Sequence, residues 1–308
     1  VDIQYSISDL ERLSGVKAHT LRVWESRYKL IVPSRTDTNI RYYSDEDLKK
    51  IMNVAFLVHN GLRISKVASM TDTEQRSLVL DKSNGGHNHE GTLTALKVAM
   101  IEFDQETFER VLNRCMLNLG AEEAFNSVLG DFLRHLGVLW QTNAITVAHE
   151  HFVTSMIKQK LYSLIDQLTV APSPQAKSHL LYLPAGELHE LGLLYLHFLL
   201  KKNGQRSLFL GQDVPLEFLG EANDHLNADV IISIFTTHPQ KEDVENYIHQ
   251  LGTTNGSRKT KFLLAGYPLR EYTKPLKDKR FKLYGTLEDL RQLIVETYQY
   301  SRQESKAS

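Results

Sequence analysis

The chain has 308 residues, 42% of them hydrophobic and 24% charged, with a formal net charge of −1. That length suits two or three domains, the composition excludes disorder as the default, and the near-zero charge leaves no chain-wide basic surface for nucleic acid. No apolar run approaches the ~20 residues that cross a bilayer, so no membrane partner is expected. The start, Val1 to Tyr5, carries neither a basic nor an apolar leader, and the lone Cys115 forms no internal disulfide, so a reducing cytoplasm is expected.

Charge is concentrated rather than absent. Arg12, Lys17, Arg22, Arg27, Lys29, Arg35 and Arg41 face only Glu25 and Asp37 over the same stretch, which marks one module as an electrostatic footprint. Within it, Ser8 reads as an N-cap with Glu11 as the matching acid of a capping box, and Gly15 ends the helix. A second helix starts near Lys17 and runs through Trp24. Two short helices joined at a glycine turn form a helix-turn-helix, whose second helix enters the major groove. A polar hairpin from Arg35 to Ser44 reads as a wing that sets Arg41 and Tyr42 against the DNA backbone, and Ser44 or Asp45 caps the next helix. Trp24 reads as core.

The run Thr20-Leu-Arg22-x-Trp24-Glu25-x-Arg27-Tyr28, then Pro33-x-Arg35-Thr36, then Arg41-Tyr42-Tyr43-Ser44-x-x-Asp47-Leu48, resembles the winged helix-turn-helix of MerR-type regulators. The resemblance covers residues 1–75. It implies a double-stranded DNA operator as partner, with Thr20 and Arg22 facing the groove and Arg41 and Tyr42 gripping phosphates. Arg27 and Arg35 complete the implied DNA-binding set.

Residues 76–90 read as a linker, since periodicity fades from Asp72 and the stretch from Ser83 to Gly91 is rich in Gly, Asn and His. His87 and His89 read as polar spacers. Residues 91–171 carry four amphipathic segments (93–101, 105–119, 121–141 and 145–170) joined by short connections, which predicts a four-helix bundle. Asp104 and either Thr142 or Asn143 mark helix starts. Trp140, followed after nine residues by Glu150-His151, is similar to the helical cap of cobalamin-dependent MerR-type photoreceptors of the CarH and LitR kind. The resemblance implies that Trp140, Glu150 and His151 shelter the upper face of adenosylcobalamin. That family carries a histidine beside the tryptophan as an upper cobalt ligand after light. Gln141 stands there in this chain, which leaves His151 as the imidazole of the motif.

Beyond a short proline linker, residues 175–308 alternate apolar strands with helices. This predicts a flavodoxin-like α/β domain with a five-stranded parallel sheet, binding its ligand beyond the strand carboxyl ends. Glu187-x-His189-x-x-Gly192 falls in the loop after the first strand. An imidazole is a fitting ligand for a transition metal, Glu187 can orient it, and Gly192 clears space for a corrin. The motif resembles the cobalamin-binding signature in which histidine displaces the lower benzimidazole base. It implies His189 as the cobalt ligand and a slot in the sheet for the nucleotide tail. Ser233 lines that slot, with Thr236 as its competitor, and Ala265-Gly266 stands where a pair of glycines is usual.

The predicted protein is therefore multidomain: an all-α winged helix-turn-helix, a four-helix bundle and the α/β domain. The expected function is a light-responsive, DNA-binding repressor, a homo-oligomer (a tetramer in the dark) holding adenosylcobalamin between bundle and sheet. Two alternatives stand beside it. One is a MerR-type regulator that works through protein partners without cofactor. The other is a cobalamin-dependent enzyme, against which the DNA module and the lack of a substrate domain argue.

Overall fold

The computed structural model describes residues 4–36, 38–83, 89–141, 145–254 and 259–307. Chain contacts divide it into two compact units, Val1–Met156 and Ile157–Ser308. Among the described residues no helix is long and apolar enough to cross a membrane.

The first unit begins with α1 (Ile7–Ser14), capped by Ser6 and Asp9, each side chain accepting from the other's backbone N–H. The expected box of Ser8 and Glu11 is therefore displaced by two residues. Glu11 is needed elsewhere: its carboxylate accepts from the Ala18 N–H at 3.0 Å and pairs with Lys17 at 3.1 Å. It thus satisfies an orphan donor at the start of α2 (Ala18–Val23). Gly15 ends α1 at φ 73°, a left-handed turn where glycine carries no steric penalty. A π-helical turn (Trp24–Tyr28) prolongs α2, and Trp24 is buried as core.

Strands β1 (Ser34–Arg35) and β2 (Arg41–Tyr42) pair antiparallel as the wing. Tyr5 and Tyr43 exchange backbone hydrogen bonds of 2.9 Å, which straps the chain start to the wing base. Ser44 and Asp47 form the capping box of α3 (Asp45–His59), settling the choice between Ser44 and Asp45. After α4 (Ile64–Ala68) comes α5 (Asp72–Ser83), where fading periodicity had predicted linker. The helix is mostly polar, yet it buries Val79 and Gln75, and the Gln75 amide donates to the Val67 carbonyl at 3.0 Å. Its apolar residues, Leu78 to Leu80, are consecutive and make no helical stripe for a sequence pattern to find. His87 lies outside the described residues, and His89 meets Asp131 at 2.7 Å.

The helical segments follow as α6 (His89–Ile101), α7 (Gln105–Leu119), α8 (Ala121–Glu123), a π-helical turn (Ala124–Leu129), α9 (Gly130–Gln141) and α10 (Val147–Asp166). Residues 121–141 thus run as one helix, giving the four expected segments. Asp104 caps α7 through the Thr107 N–H. Phe108 packs edge-on against Phe132 and Phe152, with ring centroids 6.0 and 5.7 Å apart. Thr142 and Asn143 lie outside the described residues. Thr146 directly precedes α10, with its N–H and hydroxyl both on His149 Nδ1 at 3.1 and 2.9 Å. The boundary between the compact units falls inside α10.

The second unit is the parallel sheet. Its strands are β3 (Ser178–Pro184), β4 (Arg206–Val214), β5 (Val230–Phe235), β6 (Lys261–Gly266) and β7 (Phe281–Tyr284), in spatial order β4-β3-β5-β6-β7. Helices α11 (Leu191–Lys202), α12 (Leu216–Leu226), α13 (Val244–Thr254) and α14 (Leu287–Ala307) alternate with the strands. This is the doubly wound order whose direction reverses between β3 and β5. Strand β5 is buried at all six positions, as a parallel strand covered on both faces must be.

Candidate functional site

The carboxyl ends of β3 and β5 flank the point where the sheet's winding reverses, which is where doubly wound domains hold ligands. Glu187 bridges that point. Its side chain is fully buried, one oxygen pairing with His189 Nδ1 at 2.6 Å and accepting from the His189 N–H at 3.1 Å. The other accepts from three successive backbone N–H groups after β5: Thr236 at 2.8, Thr237 at 2.6 and His238 at 3.0 Å. Burial alone would raise its pKa. The hydrogen bonds from His189, His238 and Thr237 outweigh burial and hold the carboxyl well below the usual range.

The His189 imidazole, 55% exposed, projects outward from this buried anion. A carboxylate on Nδ1 fixes the tautomer and the ring plane and leaves Nε2 as the nitrogen with ligand character. The loop is tied to β4 as well: Gly186 N–H donates to Asp213 at 2.8 Å, and Asp213 N–H donates to the Glu187 carbonyl at 3.2 Å. The sequence reading missed Asp213, Thr237 and His238. Their signal was position alone, at or just beyond the carboxyl ends of the strands adjoining β3.

Two hydroxyls had competed for the slot in the sheet. Thr236 is exposed and serves Glu187 through its backbone, whereas Ser233 is fully buried within β5. Among the described residues Ser233 Oγ has no partner at hydrogen-bonding geometry. Gly266, at φ 136°, closes the end of β6 against β5, since a Cβ there would lie 1.9 Å from the Phe235 carbonyl oxygen. Gly192 departs from expectation. A Cβ on it would come within 2.8 Å of Leu287 and 3.3 Å of Ile234, so it seats α11 against the chain's own side chains rather than clearing space for a corrin.

In the first unit Trp140, one residue before the end of α9, has 44% exposure, large for an indole. Glu150 and His151 sit in the first turns of α10, where Glu150 joins His151 Nδ1 and the Thr154 hydroxyl, each at 2.7 Å. The side chain of Gln141 lies outside the described residues. On the DNA module Arg22, Arg27, Arg35 and Arg41 are all exposed, and Thr20 and Tyr42 are half-buried. Arg35 and Arg41 stand opposite each other across the wing, and Arg41 is also paired with Glu25 at 3.4 Å.

Among the described residues no three His, Cys, Asp or Glu side chains converge on a bare ion. One imidazole backed by a carboxylate suits a metal that brings its own macrocycle, and the buried Ser233 hydroxyl suits a polar atom of its tail. The residues therefore fit a cobalamin.

The profile of the MerR HTH family regulatory protein matches residues 5–74, and that of the B12 binding domain matches residues 92–165. The HTH-type transcriptional repressor CarH of Myxococcus xanthus is 30% identical over 253 residues, 80% of this chain and 84% of the relative. CarA, a second HTH-type transcriptional repressor of that organism, is 32% identical over 231 residues, 74% and 75% of the two chains. The Methanosarcina barkeri monomethylamine corrinoid protein shares the fold at a TM-score of 0.50 and 12% identity, covering 72% of this chain and 99% of that one. With a DNA-binding module, a B12-binding module and relatives matched over most of their length, the chain belongs to the family of MerR-type, cobalamin-binding transcription regulators that includes CarH and CarA.

Proposed function

We propose that this protein is a light-responsive repressor that holds adenosylcobalamin through His189 and binds its operator as a tetramer in the dark, in the cytoplasm. The observation that carries the reading is the half-exposed imidazole braced by buried Glu187 at the switch point, in a chain that begins with a winged helix-turn-helix. When bound, adenosylcobalamin supplies a cobalt–carbon bond that visible light breaks. The chain's own residues do the rest. Glu187 would orient His189 toward the cobalt, Ser233 would offer a hydroxyl to the tail, and Trp140, Glu150 and His151 would shelter the adenosyl group. Light can act on DNA binding only if the cofactor's two forms bind the protein's two states differently. CarH and CarA, the relatives matched over most of the chain, both carry repressor in their names, which supports that sign of regulation.

The test is protein loaded with adenosylcobalamin in the dark, followed by absorbance, gel filtration and gel shift before and after illumination. The expected outcome is a bound cobalamin spectrum that changes with light, a dark tetramer that dissociates, and loss of the DNA complex. Equal DNA binding and equal size with and without cobalamin, in dark and light, would instead identify a regulator that works without cofactor.

A further inference from the structure

Two buried amide oxygens in the first unit have no partner. Asn53 of α3 and Gln75 of α5 are 6% and 1% exposed, and among the described residues no donor meets Asn53 Oδ1 or Gln75 Oε1. The orientation of Gln75 is fixed. Its amide nitrogen donates to the carbonyls of Val67 at 3.0 Å and Met70 at 3.4 Å, and a turned-over amide would set oxygen against oxygen. Both residues line one cavity of about 260 Å³, whose walls come from α3, α5 and Glu102 after α6. That space is far above the roughly 10–15 Å³ that a single water requires.

The charges around the cavity decide what it can take. Its cations are already paired: Lys49 with Glu102 at 3.9 Å, Lys50 with Asp72 at 3.0 Å, and Arg76 with Glu102. An anion would have to break those pairs. Glu46, exposed on the rim, makes no ion pair among the described residues. Every unmatched group, two amide oxygens and one carboxylate, is therefore an acceptor. No three acids or imidazoles converge among the described residues, so the donor set is not that of a divalent metal. An ammonium is its complement, with three N–H donors and no acceptor. Glu46 and Asn53 lie two turns apart on one face of α3, about 10 Å along its axis. One ammonium cannot serve both, whereas a flexible chain with a nitrogen toward each end can.

We propose that this cavity binds a linear polyamine, one terminal ammonium between Asn53 Oδ1 and Gln75 Oε1 and a second nitrogen at Glu46. Helix α3 lies in the stretch matched by the MerR profile and Glu102 in that matched by the B12 binding domain. An amine held here ties the two modules together inside one compact unit, as a chemical input separate from the corrinoid.

The test is calorimetric titration of spermidine into the full chain, without DNA, in 0.15 M sodium chloride to screen surface charge. Wild type should bind one spermidine per chain. Asn53→Leu should weaken it by about tenfold, the factor that one hydrogen bond to a charged group corresponds to. Glu46→Gln, a change at an exposed position, should weaken spermidine about two- to fivefold and leave propylamine, with its single nitrogen, unchanged. Should Asn53→Leu fail to fold, that split between spermidine and propylamine in Glu46→Gln decides alone. No spermidine binding by wild type, or binding undiminished in the folded variants, would overturn the site. Equal displacement of spermidine by potassium and by sodium-matched propylammonium chloride would overturn the amine and identify a site for a bare monovalent cation.

Discussion

A carboxylate with no access to solvent is expensive unless its charge is fully met, and Glu187 is met by an imidazole and three peptide N–H groups. Every neighbour named is a donor. Glu187→Gln would turn an amide NH₂ toward donors, leaving one side unpaired and His189 without its orienting partner. Cobalamin affinity should fall by about 10–100-fold, the usual effect of losing the group behind a metal-binding histidine, while the fold persists. Titration by absorbance checks this, and an unchanged affinity would remove Glu187 from the site. The same residue sets a pH dependence. Because its folded pKa is depressed, its contribution to stability is full above the ordinary value of 4.5 and declines as pH falls below it. Wild type should therefore lose stability between neutral pH and the acid range more steeply than Glu187→Gln, as melts from pH 7 downward would record.

At the scale of elements, the loops work because the strands beneath them end in register. Phe235 pairs with Gly266, the last residues of β5 and β6, and the backbones approach so closely there that no side chain fits. Both the contact and the positive φ of 136° oppose a Cβ. Gly266→Ala should destabilise the protein by about 3 kcal/mol, a drop of several degrees in melting temperature, because backbone must move to admit it. Melting within about a degree of wild type would show that the strand ends can separate freely. Gly192→Ala presents a smaller problem, since Leu287 and Ile234 side chains can shift. The sequence marked both glycines alike, and only packing distinguishes one that seats a helix from one that closes the sheet.

Across the whole molecule, charge is nearly balanced at −1, so DNA affinity must come from one local surface. The exposed arginines of α2 and the wing are its proposed source. Arg41→Ala should weaken binding to all duplexes alike and reduce the salt slope by about one, as the loss of one phosphate contact does. Arg22→Ala, on the helix expected in the groove, should relax sequence choice. Gel shifts on operator and random duplexes over a salt series separate the two effects. Wild-type behaviour from both variants would displace the DNA interface from this face.

The linear chain determined those features that arise from local chemistry. Apolar runs ended by turn residues located the five strands, threes-and-fours periodicity located the bundle helices, a polar hairpin located the wing, and resemblance to a cobalamin-binding signature singled out Glu187-x-His189. Where several neighbours compete for one group, sequence was silent. It could not know that Glu11 would leave its own helix to cap the next, that Asp72–Ser83 would be helical without an apolar stripe, or that Gly192 would face Leu287. Nor could it bring Thr236, Thr237 and His238, some fifty residues away, onto Glu187. Those choices are made by parallel strand register, which sets distant strand ends side by side and leaves no trace in the spacing along the chain.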